Sequence, residues 1–250
     1  MTILNTYEAF SPVSNNPPGD TIFGKLRFFM RTILDMQMAS VHRHLRPWLV
    51  GRSGTVLEVG CGAQPYRYLV PPGCRYTGLD WEQSQAHFKY RLPDTIYYSD
   101  GKFPFDDGSF DNLFHTEVLE HVYQTGQFLS ECRRVLKPSG SLFFTVPFQA
   151  RYHYKPHDFF RFTPAALERM LVEAGFRQIE IRPRGSDITV AAYKNMSVFY
   201  RWLRSGPLGI CAGILTVPLA VPVLIIGWLS LRLSAGSRDD CLGYTVTARA

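Results

Sequence analysis

No Cys-x-x-Cys pair occurs anywhere in this chain. Its five cysteines, Cys61, Cys74, Cys132, Cys211 and Cys241, are odd in number and widely scattered. That distribution argues against a zinc–thiolate site and against a disulfide framework, and for a reducing compartment; no metal is expected. Lacking too is any Lys/Arg run dense enough to grip nucleic acid, although 27 basic residues against 21 acidic ones leave a formal charge of +6. The excess suits an anionic membrane surface or an anionic substrate, and equally an ordinary solubilising role. Residues 1–10 have no basic stretch followed by an apolar core, so no secretory signal is expected. Charge is absent altogether from residues 205–231, which are mostly Leu, Ile, Val, Ala, Gly and Pro. Since a bilayer span needs about 20 apolar residues, this stretch is long enough to enter one.

What remains is a globular composition on the apolar side, 46% hydrophobic and 19% charged. At 250 residues there is room for one α/β domain with a full core and little for a second. Residues 1–20, with Pro12, Pro17, Pro18 and Gly19, read as an irregular arm. Residues 22–46 carry apolar side chains at helical spacing between Lys25, Arg27, Arg31, Arg43 and Arg46, a basic amphipathic helix or helix pair that either caps the domain or touches a membrane surface. Strand and helix then alternate. Strands are expected at 55–59, 75–80, 95–99, 110–115, 141–146, 178–182 and 244–248. A helix over 124–136 should stop at Pro138, and another should start at Thr163-Pro164 and end at Gly175. Alternation of this kind builds a mainly parallel, doubly wound sheet.

In such sheets ligands bind beyond the carboxyl ends of the strands. Glu58, Gly60 and Gly62 end the first strand in a glycine turn, where the backbone can approach a ligand with no Cβ in the way. Asp80 ends the second strand, 22 positions after Glu58, where a carboxylate can accept both ribose hydroxyls. Asp100 ends the third and can accept from an adenine amino group; His115 and Thr116 end the fourth, where the floor of the site is expected. A dinucleotide fingerprint requires G-x-G-x-x-G, but here the string runs Gly60-Cys61-Gly62-Ala63-Gln64-Pro65 and the third glycine is missing. Glu58 beside the loop would repel a pyrophosphate and suits a cationic ligand.

Val56-Leu57-Glu58-Val59-Gly60-Cys61-Gly62, Tyr76-Thr77-Gly78-Leu79-Asp80, residues 103–111 (FPFDDGSFD), residues 117–122 (EVLEHV) and residues 133–142 (RRVLKPSGSL) together resemble the class I methyltransferases of the type 11 group, over about residues 50–183. The resemblance implies a Rossmann-like seven-stranded sheet with an antiparallel last strand and S-adenosylmethionine as cofactor. It makes Glu58, Gly60, Gly62, Asp80 and Asp100 cofactor contacts and packs Trp81 against the adenine. Cys61 reads as a small buried filler, not a nucleophile.

Methyl transfer from a sulfonium mainly requires alignment and exclusion of water, with a base only where the acceptor has a proton to lose. Residues 153–162 form the densest cluster of candidates and resemble an H-D-[FY]-[FW]-R-[FY]-T stretch of type 11 methyltransferases in surface-glycan and lipid pathways. His157 and Asp158 are the candidate catalytic pair, an oriented base; alternatively Asp158 and Arg161 form a loop-fixing ion pair. Glu120 and His121 read as helix residues near the cofactor.

If 244–248 belongs to the same sheet, both ends of the apolar insertion lie on one side of any membrane. The expectation is an apolar helical hairpin broken near Pro218 and Pro222, with Arg201, Arg204, Arg232 and Arg238 at headgroup level. A single span without a seventh strand and an oligomer interface are the alternatives. The domain boundaries expected are an arm and amphipathic helix at 1–50, the methyltransferase domain at 51–186 with 241–250, and a membrane-associating insertion at 187–240. The resulting expectation is a methyltransferase on the cytoplasmic side of a membrane acting on a lipid-linked or lipophilic acceptor. The alternatives are a soluble small-molecule enzyme dimerising through the hairpin, and a catalytically silent cofactor-binding scaffold.

Overall fold

The computed structural model describes residues 16–84 and 91–250; most of the expected N-terminal arm lies outside the described residues. Seven strands form one sheet: β1 (Gly54–Val59), β2 (Cys74–Trp81), β3 (Thr95–Tyr98), β4 (Phe110–Thr116), β5 (Leu136–Pro147), β6 (Arg177–Arg184) and β7 (Gly243–Arg249). Their order is β3-β2-β1-β4-β5-β7-β6. The pairs among β1 to β5 are parallel, whereas β7 runs antiparallel to both its neighbours, β5 and β6. All seven expected strands are present, and the last is antiparallel as the family resemblance implied.

Apolar layers cover both faces of the sheet. On one, Leu57, Leu113, Leu142 and Val246 pack against Phe128, Leu129 and Cys132 of helix α3 (Thr125–Val135) and Leu167 and Leu171 of helix α4 (Pro164–Glu173). On the other, Val56, Phe114 and Phe143 meet Val41, Leu45 and Leu49 of helix α2 (Met36–Leu49). α3 ends earlier than expected: pairing of Phe110 with Leu136 draws the chain into β5 before Pro138 is reached. α4 starts as read, with the Thr163 hydroxyl accepting from the Ala166 amide at 3.3 Å and Pro164 at the first turn.

The basic amphipathic segment is a helix pair. Thr21 caps helix α1 (Ile22–Leu34), and Asp35 stops it and caps α2, accepting from the Met38 amide at 3.1 Å. Only α2 covers the sheet. α1 buries no residue and leaves Ile22 88%, Phe23 75% and Phe29 59% exposed.

The insertion between β6 and β7 is helical and folds back on itself, but not where the prolines suggested. Helix α5 (Asp187–Trp202) turns at residues 203–206 into helix α6 (Pro207–Leu233), which runs unbroken through Pro218 and Pro222. Gly206, with φ +93°, followed by Pro207 is the stronger stop-and-start signal, because a helix can begin on a proline at no hydrogen-bond cost. α6 is 27 residues long, about 40 Å at 1.5 Å per residue. Its length and composition suffice to cross a membrane, and only 6% of its most apolar window is buried.

Arg184, at the end of β6, is fully buried. It donates to the Ser40 hydroxyl (2.9 Å) and the Val146 carbonyl (3.1 Å) and pairs with Glu117 (2.6 Å). One guanidinium thus ties α2, the end of β4 and β5 to β6. Removing one member of a buried ion pair costs about 3–5 kcal/mol, and Glu117 keeps some contact with water. Arg184→Met is therefore expected to lower the unfolding free energy in urea by about 3 kcal/mol, at the low end of that range; a change below about 0.5 kcal/mol, the level of an ordinary surface substitution, would contradict this account of the junction.

Candidate active site

The ends of β1 to β5 and the loops that follow them surround an open cavity of about 1100 Å³. Its first wall is the glycine turn. The Gly60 and Cys61 amides donate to the Leu79 carbonyl (2.8 and 3.1 Å), which carries the chain sharply off β1. Gly60 has φ +65° and an added Cβ would stand 2.5 Å from Val118, so glycine is required there on two counts. Asp80 accepts from the Gly62 amide (3.1 Å) with one oxygen and from its neighbour Trp81 (2.8 Å) with the other. Cys61 is 1% exposed and burial pushes its thiol up, as fits a filler.

Glu58 is buried beneath this turn and accepts a 2.5 Å hydrogen bond from the Tyr76 hydroxyl. Burial, helped by the negative charge of Asp80 and opposed by the Tyr76 bond, pushes its carboxyl up to about 8. Glu58, Gly60, Gly62, Asp80, Trp81 and Asp100 all line the one cavity. Sequence reasoning did not single out Tyr76, although its place two residues before Gly78, the register partner of Glu58, puts it on that face.

His115 corrects the expectation of a cavity floor. It is fully buried on the α3 face, stacked on Phe144 with centroids 4.6 Å apart and edge-on to Phe128, and it does not reach the cavity. Strand alternation turns His115 to the core while Thr116 faces the cavity. Burial brings the imidazole down to about 3, a neutral ring.

The opposite wall is imidazole-rich. His121, His153 and His157 all line the cavity. The expected His157–Asp158 pair is not formed. Asp158 makes a two-pronged ion pair with Arg161 (2.7 and 2.8 Å) and meets the amide and Nδ1 of His153 (2.9 and 3.2 Å). Burial would raise its carboxyl, but these partners hold it well below the usual range. The loop-fixing alternative is the one observed, because a bidentate guanidinium fork outcompetes a neighbouring ring for one carboxylate. His157 instead stands edge-on to Trp81 at 5.3 Å and gives its carbonyl to His121 Nδ1 at 2.7 Å. Glu120 and His121 lie on a single 3-10 turn, Leu119–His121. Glu120 is fully buried and its carboxyl is raised well above the usual range by burial and by Glu117.

Among the described residues the wall holds three carboxylates and no cluster of guanidinium or ammonium groups, so its chemistry suits a nucleoside bearing a cation better than a pyrophosphate. The fold and this site together define a Rossmann-like domain whose cavity is suited to a nucleoside cofactor. Residues 57–144 match the family model described as a methyltransferase domain. The "Probable S-adenosylmethionine-dependent methyltransferase" of Mycolicibacterium smegmatis is 31% identical over 146 residues, covering 54% of this chain and 56% of that protein. A human thiol S-methyltransferase is 37% identical over 108 residues, covering 38% of this chain and 44% of its own length. In fold, the chain matches the crystal structure of a SAM-dependent methyltransferase from Archaeoglobus fulgidus with a TM-score of 0.54 at 17% identity, over 90% of this chain and 99% of that one. Over residues 57–144 the chain is similar to the class I S-adenosylmethionine-dependent methyltransferases of the type 11 group. It spans just over half the length of the first curated relatives it matches.

Glu58 supplies a pH signature. Because its folded value of about 8 lies above its ordinary 4.5, the ligand-free protein loses stability from this group as pH rises through that window. Only the ionised carboxylate attracts a sulfonium. Calorimetry should therefore find affinity for S-adenosylmethionine rising by up to about tenfold per pH unit between about pH 6 and 8, with a weaker rise for the uncharged thioether S-adenosylhomocysteine. Glu58→Gln should flatten the first curve onto the second; parallel curves in the unaltered protein would refute the assignment.

Proposed function

We propose that this chain is a membrane-associated methyltransferase that moves a methyl group from S-adenosylmethionine to a lipid-linked or lipophilic acceptor on the cytoplasmic face. When bound, the cofactor supplies an electrophilic methyl group. The protein's share is to hold and align. Asp80 and Asp100 offer carboxylates to the ribose and adenine, Trp81 a flat apolar surface, and Glu58 a negative charge within the wall. Asp158 and Arg161 brace the loop that carries His153 and His157 over the cavity, which keeps the acceptor aligned and water out.

The observation that supports a lipophilic acceptor is the rim of the cavity. Arg31 of α1, Asp35 between α1 and α2, and Tyr193 of α5 line it. Those elements belong to the part of the molecule with the largest exposed apolar surface: Phe23, Leu26 and Phe29 on α1, and Leu208, Leu215 and Leu219 on α6, the last three 88%, 79% and 66% exposed. α1 is joined to α6 by the Trp228 indole, which donates to the Ile33 carbonyl at 2.8 Å. Charges on these helices and their turn are almost all basic, namely Lys25, Arg27, Arg31, Lys194, Arg201, Arg204 and Arg232, with Asp187 the exception at the sheet end. An apolar face flanked by basic groups suits an anionic lipid surface. An acceptor partitioned in lipid would meet the cavity at its rim.

Transfer of a labelled methyl group from the cofactor into a lipid extract of the source cells tests this reading. Transfer should appear, and Asp80→Ala should reduce it roughly 100-fold, the worth of about two hydrogen bonds to a charged group. His157→Ala should retain most of it, since no carboxylate orients that ring. A protein left wholly soluble by alkaline carbonate and dimeric in solution would replace the membrane reading with dimerisation through α6. Cofactor binding without turnover across lipid and thiol acceptors would replace the enzyme with a scaffold.

A further inference from the structure

On the acceptor side of the cavity, Glu120, His121 and His153 each offer a ligand atom, all within 4.8 Å of one another. The hydrogen bonds around them fix which atoms those are. His121 Nδ1 faces the His157 carbonyl at 2.7 Å. A carbonyl only accepts, so Nδ1 carries the proton and Nε2 the lone pair. His153 Nδ1 faces two acceptors, the Arg151 carbonyl (2.9 Å) and Asp158 (3.2 Å), and is protonated by the same reasoning. Both rings therefore present bare Nε2 atoms.

The third member is Glu120, whose two carboxyl oxygens are buried and have no hydrogen-bond partner among the described residues. His121 Nε2 lies 3.6 Å from one of them. That is beyond hydrogen-bond length, so the imidazole lone pair and the carboxyl oxygen stand close without bonding each other. Arg161, on the same loop as His153, is already engaged two-pronged by Asp158.

We infer that Glu120, His121 and His153 form a binding site for a divalent cation of the zinc type. The donor set of two imidazoles and one carboxylate matches three-ligand sites that leave a fourth position open. The outer shell matches as well, with each imidazole donating its remote N–H to a carbonyl or carboxylate. Zinc bonds of 2.0–2.2 Å at tetrahedral angles put ligand atoms about 3.3 Å apart, so the His121–Glu120 pair at 3.6 Å already stands near that spacing and no pair has to close by more than about 1.5 Å. The absence of Cys-x-x-Cys bears on thiolate sites alone and leaves this set untouched.

Resting on the proposed methyltransferase reading, the open position gives the metal a task. His121 and His153 line the cavity, so an acceptor hydroxyl or thiol would bind the cation through its oxygen or sulfur. The X–H bond then breaks with its electron pair staying on X and the proton passing to water, which leaves a nucleophile at neutral pH. This selects oxygen and sulfur acceptors over carbon.

Titration of the metal-depleted full chain with Zn²⁺ by calorimetry, and with Co²⁺ followed by visible ligand-field absorption, tests the site. One ion per chain is expected, with Co²⁺ bands typical of low coordination. His121→Ala with His153→Ala should abolish both signals. Glu120→Gln, which preserves shape, should weaken binding by at least about tenfold with the far-ultraviolet circular dichroism unchanged. Failure of the unaltered chain to bind, or binding indifferent to all three substitutions, overturns the proposal. The cofactor titrated into the same samples separates the two ideas: variants that lose the metal should still bind S-adenosylmethionine, whereas an unaltered chain that binds zinc but not the cofactor would contradict the methyltransferase reading alone.

Discussion

The insertion of β7 between β5 and β6 is the constraint from which the rest of the molecule follows. Arg184 at the end of β6 is the register partner of Gly243 at the start of β7, and the Leu242 amide donates to the Arg184 carbonyl at 2.9 Å. Whatever lies between them must leave the sheet and return to the same point. That makes α5 and α6 an antiparallel pair closed at the sheet end, where the Ser230 hydroxyl lies 2.8 Å from those of Ser186 and Thr189. The same junction holds the Arg184 guanidinium, which reaches the α2 hydroxyl of Ser40 and the Glu117 carboxylate beside the cavity. Sheet closure, helical insertion and active-site rim thus share one anchor.

Two walls of opposite character follow from the parallel half of the sheet. The carboxyl ends of β1, β2 and β3 bring Glu58, Asp80 and Asp100 to one side, and the segments after β4 and β5 bring the imidazoles to the other. Glu58 and Asp80 repel each other, and that repulsion adds to burial in keeping Glu58 protonated in the free protein. A cationic nucleoside relieves it. A dinucleotide would aggravate it, which is why the missing third glycine and the buried acid point the same way.

Much of this was readable in the residues. Short apolar runs ending in acids or glycines marked the strands and the cofactor wall, because strand ends and turn chemistry are local properties. Thr163-Pro164 fixed a helix start for the same reason. The misreadings were all matters of competition between local signals and tertiary partners. Pro218 and Pro222 looked like a hairpin break, but Gly206-Pro207 offered the chain a better one. His115 sat at a strand end, yet alternation turned it into the core against Phe144. Asp158 had two candidate partners within four residues, and only the folded loop showed that Arg161 and His153 prevail over His157. Arg184 and Tyr76 left no sequence signal beyond their residue types, since their partners lie on other elements and a single sequence does not reveal pairing across space.

Direct binding of S-adenosylmethionine to the full chain is the measurement on which the account stands. Equilibrium dialysis with labelled cofactor should find one saturable site per chain, displaced by S-adenosylhomocysteine and untouched by nicotinamide dinucleotides. Saturable binding of a dinucleotide with none of the sulfonium would contradict the reading of the glycine turn and everything built on it.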